Sequence, residues 1–495
     1  MIRQFVACAV AMVLVRPGTA GEPIHVYAKN PRYFEWNGKV VCLVTSAEHY
    51  GAVINLDFDF EKYLDTLKAD GMPYTRIFAG SYIEPPGAFG IERNTLAPAA
   101  GKFLALWKRS DIPGYAGGGN KFDLDQWDPK HLNRLKAFLA AAGKRSIIVE
   151  LTLFCSTYTN RQWAVSPFNP GNTTTKLTCD DWKKLNTLEN GNVLARQLAL
   201  TRYLVRELNG FDNLTYEIQN EPWSDHHELG EILNLHLLDR TGFPNRVEVT
   251  KREAVAWQAK IVEAIREEER TLPKKHLIFQ NVANFRLAVK PETDLASGTD
   301  AINFHYAHPE AVTWNEALRM PICCDETGFA GPGHEVYRKQ AWSFVLAGGG
   351  MWNHLDYSFS VGKEDGTDTQ SKSPGGGGPL LRKQLRVLGQ FVNGLDLAEL
   401  SPDRQTVTGS PGVTAQCLST KGKQYAVYLR GRGPTTVALA LPVGNYKVEW
   451  LDVETGRVAK SAVANSTAPT TTLDSPKFKE EIALRVLLTQ GRCLL

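Results

Sequence analysis

The chain has 495 residues, 43% of them hydrophobic, 10% aromatic and 22% charged, a balance that supports sizeable buried cores and excludes a disordered or collagen-like polymer. Its 56 basic side chains against 53 acidic ones give a net charge of +3, which argues against nucleic acid as a partner and against a surface held to anionic lipid by charge alone. Eleven Trp and 16 Tyr without a basic excess suit neutral sugars or apolar ligands better than phosphates.

At the start, Arg3 is followed by an unbroken apolar run from Phe5 to Val15 and then by Pro17-Gly-Thr-Ala20, whose small residues suit cleavage. This predicts a secretory signal peptide over residues 1–20 and a secreted or periplasmic protein. The run is shorter than the roughly 20 residues that span a bilayer, and no later charge-free segment approaches that length, so no membrane span is expected.

From about residue 21 to 396, short β-branched runs alternate with amphipathic stretches. Eight strands are predicted, at 40–46, 73–79, 145–153, 213–221, 275–282, 301–307, 321–326 and 349–355. Most are continuous apolar runs, as strands buried on both faces require. Helical stripes fall between them at 57–70 (Phe60, Tyr63, Leu64, Leu67), 130–142 (Leu132, Leu135, Phe138, Leu139) and 191–208 (Leu194, Leu198, Leu208). The helix signal is weak after the fifth strand. Asp57 and Asp59 stand where capping and dipole residues belong.

Eight alternations favour an α/β fold, a (β/α)8 TIM barrel, over a doubly wound sheet. No GxGxxG or GxxxxGK[ST] follows a strand. Long insertions follow strands two (80–127), three (154–190), four (222–250) and eight (356–378), all on the side where barrel active sites form. The last contains Ser-Pro-Gly-Gly-Gly-Gly-Pro at 373–379, a turn-rich loop that lacks the Lys-Ser/Thr of a phosphate cradle.

From 397 to 495 the pattern changes to short strands with turn signals, which predicts a small all-β sandwich as an accessory domain without catalysis. Trp450 is expected to pack against the barrel in preference to binding sugar. Eight cysteines are present. Cys8 lies in the leader, which leaves an odd number afterwards. Cys42, Cys323 and Cys324 lie in strand runs as buried thiols, whereas Cys155 and Cys179 flank one loop and are candidates for a bridge. No cysteine pair has zinc-site spacing. His226 and His227 sit beside Asp225 and Glu228, but adjacent loop histidines ordinarily face solvent.

Two carboxylates end opposite barrel strands, Glu221 in Gln-Asn-Glu-Pro and Glu326 in Cys-Asp-Glu-Thr-Gly. At the C-terminal rim, side chains converge on the barrel axis, so residues far apart in sequence can face one another. Cleavage of a glycosidic bond needs such a pair, one carboxyl to protonate the departing oxygen and one carboxylate to face the anomeric carbon.

Asn-Glu-Pro at 220–222 on strand four and the Glu of Asp-Glu-Thr-Gly at 325–328 on strand seven resemble the clan A glycoside hydrolases. The nearest resemblance is to the cellulase-like, family-five-like group, over about 24–396. The resemblance implies a retaining hydrolase with Glu221 as acid/base, Glu326 as nucleophile and Asn220 as partner of the sugar 2-hydroxyl, with no cofactor and no metal. It also implies that Arg76 supports the nucleophile; a buried guanidinium there would keep Glu326 ionised. His305 and Tyr306 resemble the strand-six His and Tyr, and Trp352 resembles the strand-eight sugar platform.

The chain departs from the family in two places. His305 and Tyr306 are adjacent in His-Tyr-Ala-His where the family has His-x-Tyr, which leaves Tyr306 and His308 as alternatives for the site. Strand three has no matching His in 151–157; Glu48 and His49, after strand one, are the candidates to line the sugar pocket instead. The expectation is a glycosidase acting on β-linked poly- or oligosaccharide. A transglycosylase and a non-catalytic carbohydrate-binding protein on the same fold are the rival readings.

Overall fold

The computed structural model describes residues 21–48, 50–225, 227–233 and 246–489. The predicted leader over 1–20, His49 and His226 lie outside the described residues. Eight strands form the central sheet: β1 (Leu43–Ala47), β2 (Tyr74–Phe78), β3 (Ile148–Cys155), β4 (Leu214–Asn220), β5 (Ile278–Asn284), β6 (Ala301–His305), β7 (Ile322–Glu326) and β8 (Met351–Leu355). Each overlaps a predicted run, and every residue in them is buried.

Parallel ladders link them in the order β1-β8-β7-β6-β5-β4-β3-β2. The seam between β1 and β2 is drawn together by a parallel bridge from Tyr50 to Ile77 and by the Thr45 hydroxyl, which donates to the Tyr74 carbonyl at 2.8 Å. The result is a TIM barrel.

Helices cover the outside. Phe60–Asp70 buries Tyr63, Leu64 and Leu67, begins at Asp59, whose carboxylate accepts from Lys62 N, and ends at Gly71 with φ +73°. Asp57, grouped with Asp59 as a cap, instead pairs with Lys102. Pro129–Lys144 and Val193–Leu208 match their predicted stripes, whereas β5 and β6 are followed only by Pro291–Asp294 and Pro309–Thr313. The insertions stand on the C-terminal rim. The one after β2 carries a hairpin of Trp107–Pro113 and Asn120–Trp127. The one after β4 pairs His227–Leu233 with Arg246–Thr250 and joins β5 at Ala283.

The glycine run after β8 is a packing device. A Cβ on Gly375 would fall 1.9 Å from the Gly328 carbonyl oxygen, and one on Gly377, at φ +140°, would fall 2.0 Å from Asp356 Oδ1. Only glycine lets this loop lie so close to the ends of β7 and β8.

Behind the barrel, a six-stranded and a three-stranded antiparallel sheet make the β-rich domain. In the strand Gln424–Gly431 alternate residues serve two cores, as period two dictates. Tyr425, Val427 and Leu429 face the three-stranded sheet, and Ala426 and Tyr428 join barrel residues such as Trp342 and Phe391. Trp450 belongs to the sandwich's own core with Val427 and Leu484, which corrects its expected packing against the barrel. At the junction Tyr428 stacks on Trp342 with centroids 5.4 Å apart. Glu481 there accepts from Arg338 at 2.6 Å and from the Tyr428 hydroxyl at 2.6 Å.

The six cysteines among the described residues are all buried and unbridged. The candidate bridge between Cys155 and Cys179 is therefore absent. Cys155 points inward, 3.4 Å from Asn220 Nδ2, while Cys179 contacts the Asp181 carbonyl in its own loop.

Candidate active site

Glu221 follows the last residue of β4, and Glu326 is the last residue of β7. Their carboxylates meet over the barrel axis. One oxygen of each, together with a His305 ring nitrogen, lies within 4.8 Å of the others. The Tyr306 hydroxyl lies between them, 2.8 Å from Glu326 Oε1 and 3.1 Å from Glu221 Oε1.

Three adjacent pairs deliver both members to this place: Asn220-Glu221, His305-Tyr306 and Asp325-Glu326. In a regular strand neighbours point to opposite faces, so each pair needs a break in the alternation. Glu221 adopts φ +47° and Tyr306 φ +54°, left-handed conformations that are costly for residues with a Cβ. At β7 the ladder slips, with Phe304 opposite Cys324 but His305 opposite Glu326, so Asp325 is left over as in a bulge. Surrounding hydrogen bonds hold the strained turn. The Ser156 hydroxyl donates to the Glu221 carbonyl at 2.6 Å and Glu221 N donates to Asn281 Oδ1 at 3.1 Å.

Arg76 is fully buried beneath the pair. Its Nη1 lies 3.2 Å from Glu326 Oε2, its Nε 3.2 Å from Asp325 Oδ2 and 2.8 Å from Glu217 Oε2, and its Nη2 donates to Asn220 Oδ1 at 2.8 Å. Tyr50, at φ +66°, accepts from Arg76 Nη1 at 2.7 Å and donates to Glu326 Oε2 at 2.7 Å. His305 Nδ1 stands 2.9 Å from Glu221 Oε1 and its Nε2 3.4 Å from Asp325 Oδ1.

Burial raises the Glu326 carboxyl, but His305, then Arg76 and Tyr50, outweigh it and hold the group well below the usual carboxylate range. Burial likewise lowers His305, yet the charges of Glu326 and Asp325 carry it well above its ordinary value. Glu217 is pushed up to about 7 by burial, against the pull of Arg76 and with the Asp325 charge adding to it. The cluster thus keeps Glu326 and Asp325 as the anions opposite Arg76 and His305, since a buried charge needs a partner.

Among the described residues, Glu217, His305 and Asp325, and likewise Glu221, His305 and Glu326, bring metal-ligand atoms within 4.8 Å. Arg76 already occupies the cation's place in the first set and touches Glu326 in the second.

The structure therefore brings together Glu221, Glu326, Asn220, Arg76, His305 and Tyr306. It settles the alternatives after β6, because Tyr306 reaches both carboxylates while the His308 ring packs on Phe285 at 5.5 Å. Two expected pocket residues stand elsewhere. Trp352 is fully buried against Phe344 in the helix layer; its neighbour Asn353 takes the inward position and bonds the Asp325 carbonyl, and alternation turns Trp352 outward. Glu48 is fully buried and folds back on its own loop, where it accepts from Gly51 N and Ala52 N at 3.0 Å and from the Thr95 hydroxyl at 2.9 Å.

Sequence reading missed Tyr50, Glu84, Tyr158, Glu217 and Asp325. Tyr158 donates to Glu221 Oε2 at 2.8 Å and accepts from Asn220 Nδ2 at 2.8 Å. Asp325, next to Glu326, and Glu217, four residues before Glu221, are buried strand acids, a signal that could have marked both. Asp225 has a supporting part, accepting from Thr157 N at 2.7 Å and Asn186 Nδ2 at 2.9 Å to tie the loops after β3 and β4. The cavity over the carboxylates is about 30 Å³, lined also by Glu84, Phe89, Tyr158 and Phe329. That is room for about one water, and Phe89 in its lining is 37% exposed.

No protein-family model matches the chain, and no curated protein matches it. Solved structures do. A glycoside hydrolase family 5 protein from Bacteroides vulgatus ATCC 8482 superimposes with a TM-score of 0.61 at 12% identity, over 95% of this chain and 93% of that one. A second structure, described as a glycoside hydrolase, gives 0.60 at 12% identity over 95% and 98%. Along nearly its whole length, barrel and β-rich domain together, the chain has the fold of these glycoside hydrolases.

Proposed function

We propose that the protein is an exported, retaining glycoside hydrolase acting on β-linked poly- or oligosaccharide. The observation that carries this is the asymmetric carboxyl pair. His305 and Tyr306 touch both carboxyls, but Glu326 alone faces the Arg76 guanidinium and Tyr50, whereas the other polar contacts of the Glu221 carboxyl among the described residues are the neutral Tyr158 and Ser224. Glu326 is thereby the anion that attacks the anomeric carbon, and Glu221 is the proton donor.

In the first step the bond from the anomeric carbon to the leaving oxygen breaks, Glu221 gives that oxygen its proton, and the bond to Glu326 forms. In the second, Glu221 takes a proton from water, whose oxygen displaces Glu326. Oxygens within 4.8 Å and a shared tyrosine hydroxyl support retention, since inverting pairs stand about 6.5–9.5 Å apart to admit a water. Export rests on the leader at 1–20, and no helix among the described residues is long and apolar enough to cross a membrane.

The test is sugar release from β-linked aryl glycosides and from plant, algal and animal polysaccharides, with wild type beside Glu326→Ala. Release by wild type alone supports the reading. No release from any substrate by folded wild type transfers weight to a carbohydrate-binding protein.

A further inference from the structure

A third carboxyl lies in the same cavity. Glu84, in the long loop after β2, is 5% exposed and lines the pocket beside Glu221 and Glu326. Its backbone N donates to the Leu96 carbonyl at 2.9 Å, which fixes it in the loop. Its side chain accepts from the Tyr82 hydroxyl at 3.1 Å on one oxygen and from Asn94 Nδ2 on the other. Both donors are neutral, and a carboxylate has about four acceptor positions, so its two oxygens keep acceptor capacity beyond these bonds.

A buried carboxyl held by neutral donors alone, beside two others, is costly to the fold. Burial, opposed by Asn94 and Tyr82 and reinforced by Glu326 and Glu221, pushes Glu84 up to about 7. None of the described residues lining the cavity is Lys or Arg, and the Arg76 guanidinium is sealed behind Tyr50 and Glu326. The described lining therefore presents three carboxyls with hydroxyls and an amide and neither Lys nor Arg, which suits a hydroxyl-bearing neutral sugar and opposes a uronate.

We propose that Glu84 is a specificity-determining residue of this site, accepting a hydrogen bond from a hydroxyl of the neutral sugar held between Glu221 and Glu326. The assignment rests on the glycosidase reading and deepens it. The expected pattern is a loss of substrate discrimination at one sugar position when Glu84 is removed, with the chemistry at the anomeric carbon left in place.

The experiment compares wild type, Glu84→Ala and Glu84→Gln on the 4-nitrophenyl β-hexopyranoside that wild type cleaves, on its 2-, 3-, 4- and 6-deoxy forms and on the matching uronide. Melting curves check that each variant is folded. Wild type should prefer the parent over one deoxy form by about 100-fold in kcat/KM, because a site built around a hydrogen bond rejects the analogue that lacks it. Glu84→Ala should retain less than about threefold of that preference, Glu84→Gln should restore part of it, and the uronide should gain on the parent in both variants.

A folded Glu84→Ala enzyme that discriminates among the deoxy forms as wild type does overturns the assignment and leaves the glycosidase reading intact. An equal loss on every substrate gives Glu84 a structural role only and also overturns it. Absence of turnover by wild type on every glycoside removes both.

Discussion

The Tyr50 hydroxyl donates to Glu326 Oε2 at 2.7 Å while accepting from Arg76 Nη1 at the same distance. The tyrosine relays the guanidinium's charge onto the carboxylate. Tyr50→Phe leaves the packing and removes one hydrogen bond to a charged acceptor, worth about 1.5–3 kcal/mol. kcat/KM should fall by about 10- to 100-fold and its acid limb should move to higher pH, because Tyr50 is among the groups that hold Glu326 down. A pH–rate profile checks both, and an unmoved acid limb would argue against the relay.

Arg76 tests the cluster as a whole. Arg76→Lys keeps a charge but loses the fork that reaches Glu217, Asp325, Glu326 and Asn220 together. Breaking a buried pair costs about 3–5 kcal/mol, so the variant should melt several degrees lower and lose at least about 100-fold in activity. Near-wild-type melting would mean that the buried acids do not depend on this guanidinium.

Stability should peak on the acid side of neutral. Glu48, Glu84 and Glu217 are each pushed to about 7 from an ordinary 4.5, and Asp225 to about 8, burial being the first cause in every case. These groups stabilise fully while protonated in both states; as pH rises from 4.5 to 8 the unfolded chain releases protons that the fold retains, and stability falls. Glu326, Asp325 and Asp356 are depressed, so their contribution is present above the ordinary carboxylate range and is lost on further acidification. Melting temperatures from pH 4 to 9 should therefore be highest near pH 5, and Glu48→Gln should flatten the descent toward pH 8. A rise in stability between pH 5 and 8 would contradict the burial argument.

The β-rich domain should not be removable. Tyr337, Trp342, Leu385 and Phe391 of the barrel share one core with Leu418, Tyr428 and Ala483, and Arg338 pairs with Glu481 across the junction. Ending the chain at residue 396 exposes that apolar face and strands Arg338, so the truncated protein should aggregate on expression. A soluble, active truncation would show that the sandwich is dispensable.

The barrel was legible because its strands are buried on both faces and read as continuous apolar runs, which survive without knowledge of register. The site was legible only in part. Glu221 and Glu326 stand at strand ends in recognisable surroundings, but period two denies that Asn220 and Glu221, or His305 and Tyr306, share one face. The positive φ of Glu221 and Tyr306 and the bulge at Asp325 have no signature in residue type. Trp352 misled for the opposite reason, since it obeys the alternation and its parity directs it to the helices. Tyr50 and Glu84 lie in loops, where position follows from packing that the sequence does not display.

The central claim is that Glu326 bonds covalently to the sugar. It is tested most directly by incubating the enzyme with an activated 2-deoxy-2-fluoro β-glycoside of its substrate sugar and mapping the adduct by peptide mass. The account predicts one glycosyl unit, on Glu326, with turnover blocked until the adduct is released. An adduct on another residue, or unimpeded turnover yielding the inverted anomer, would contradict it.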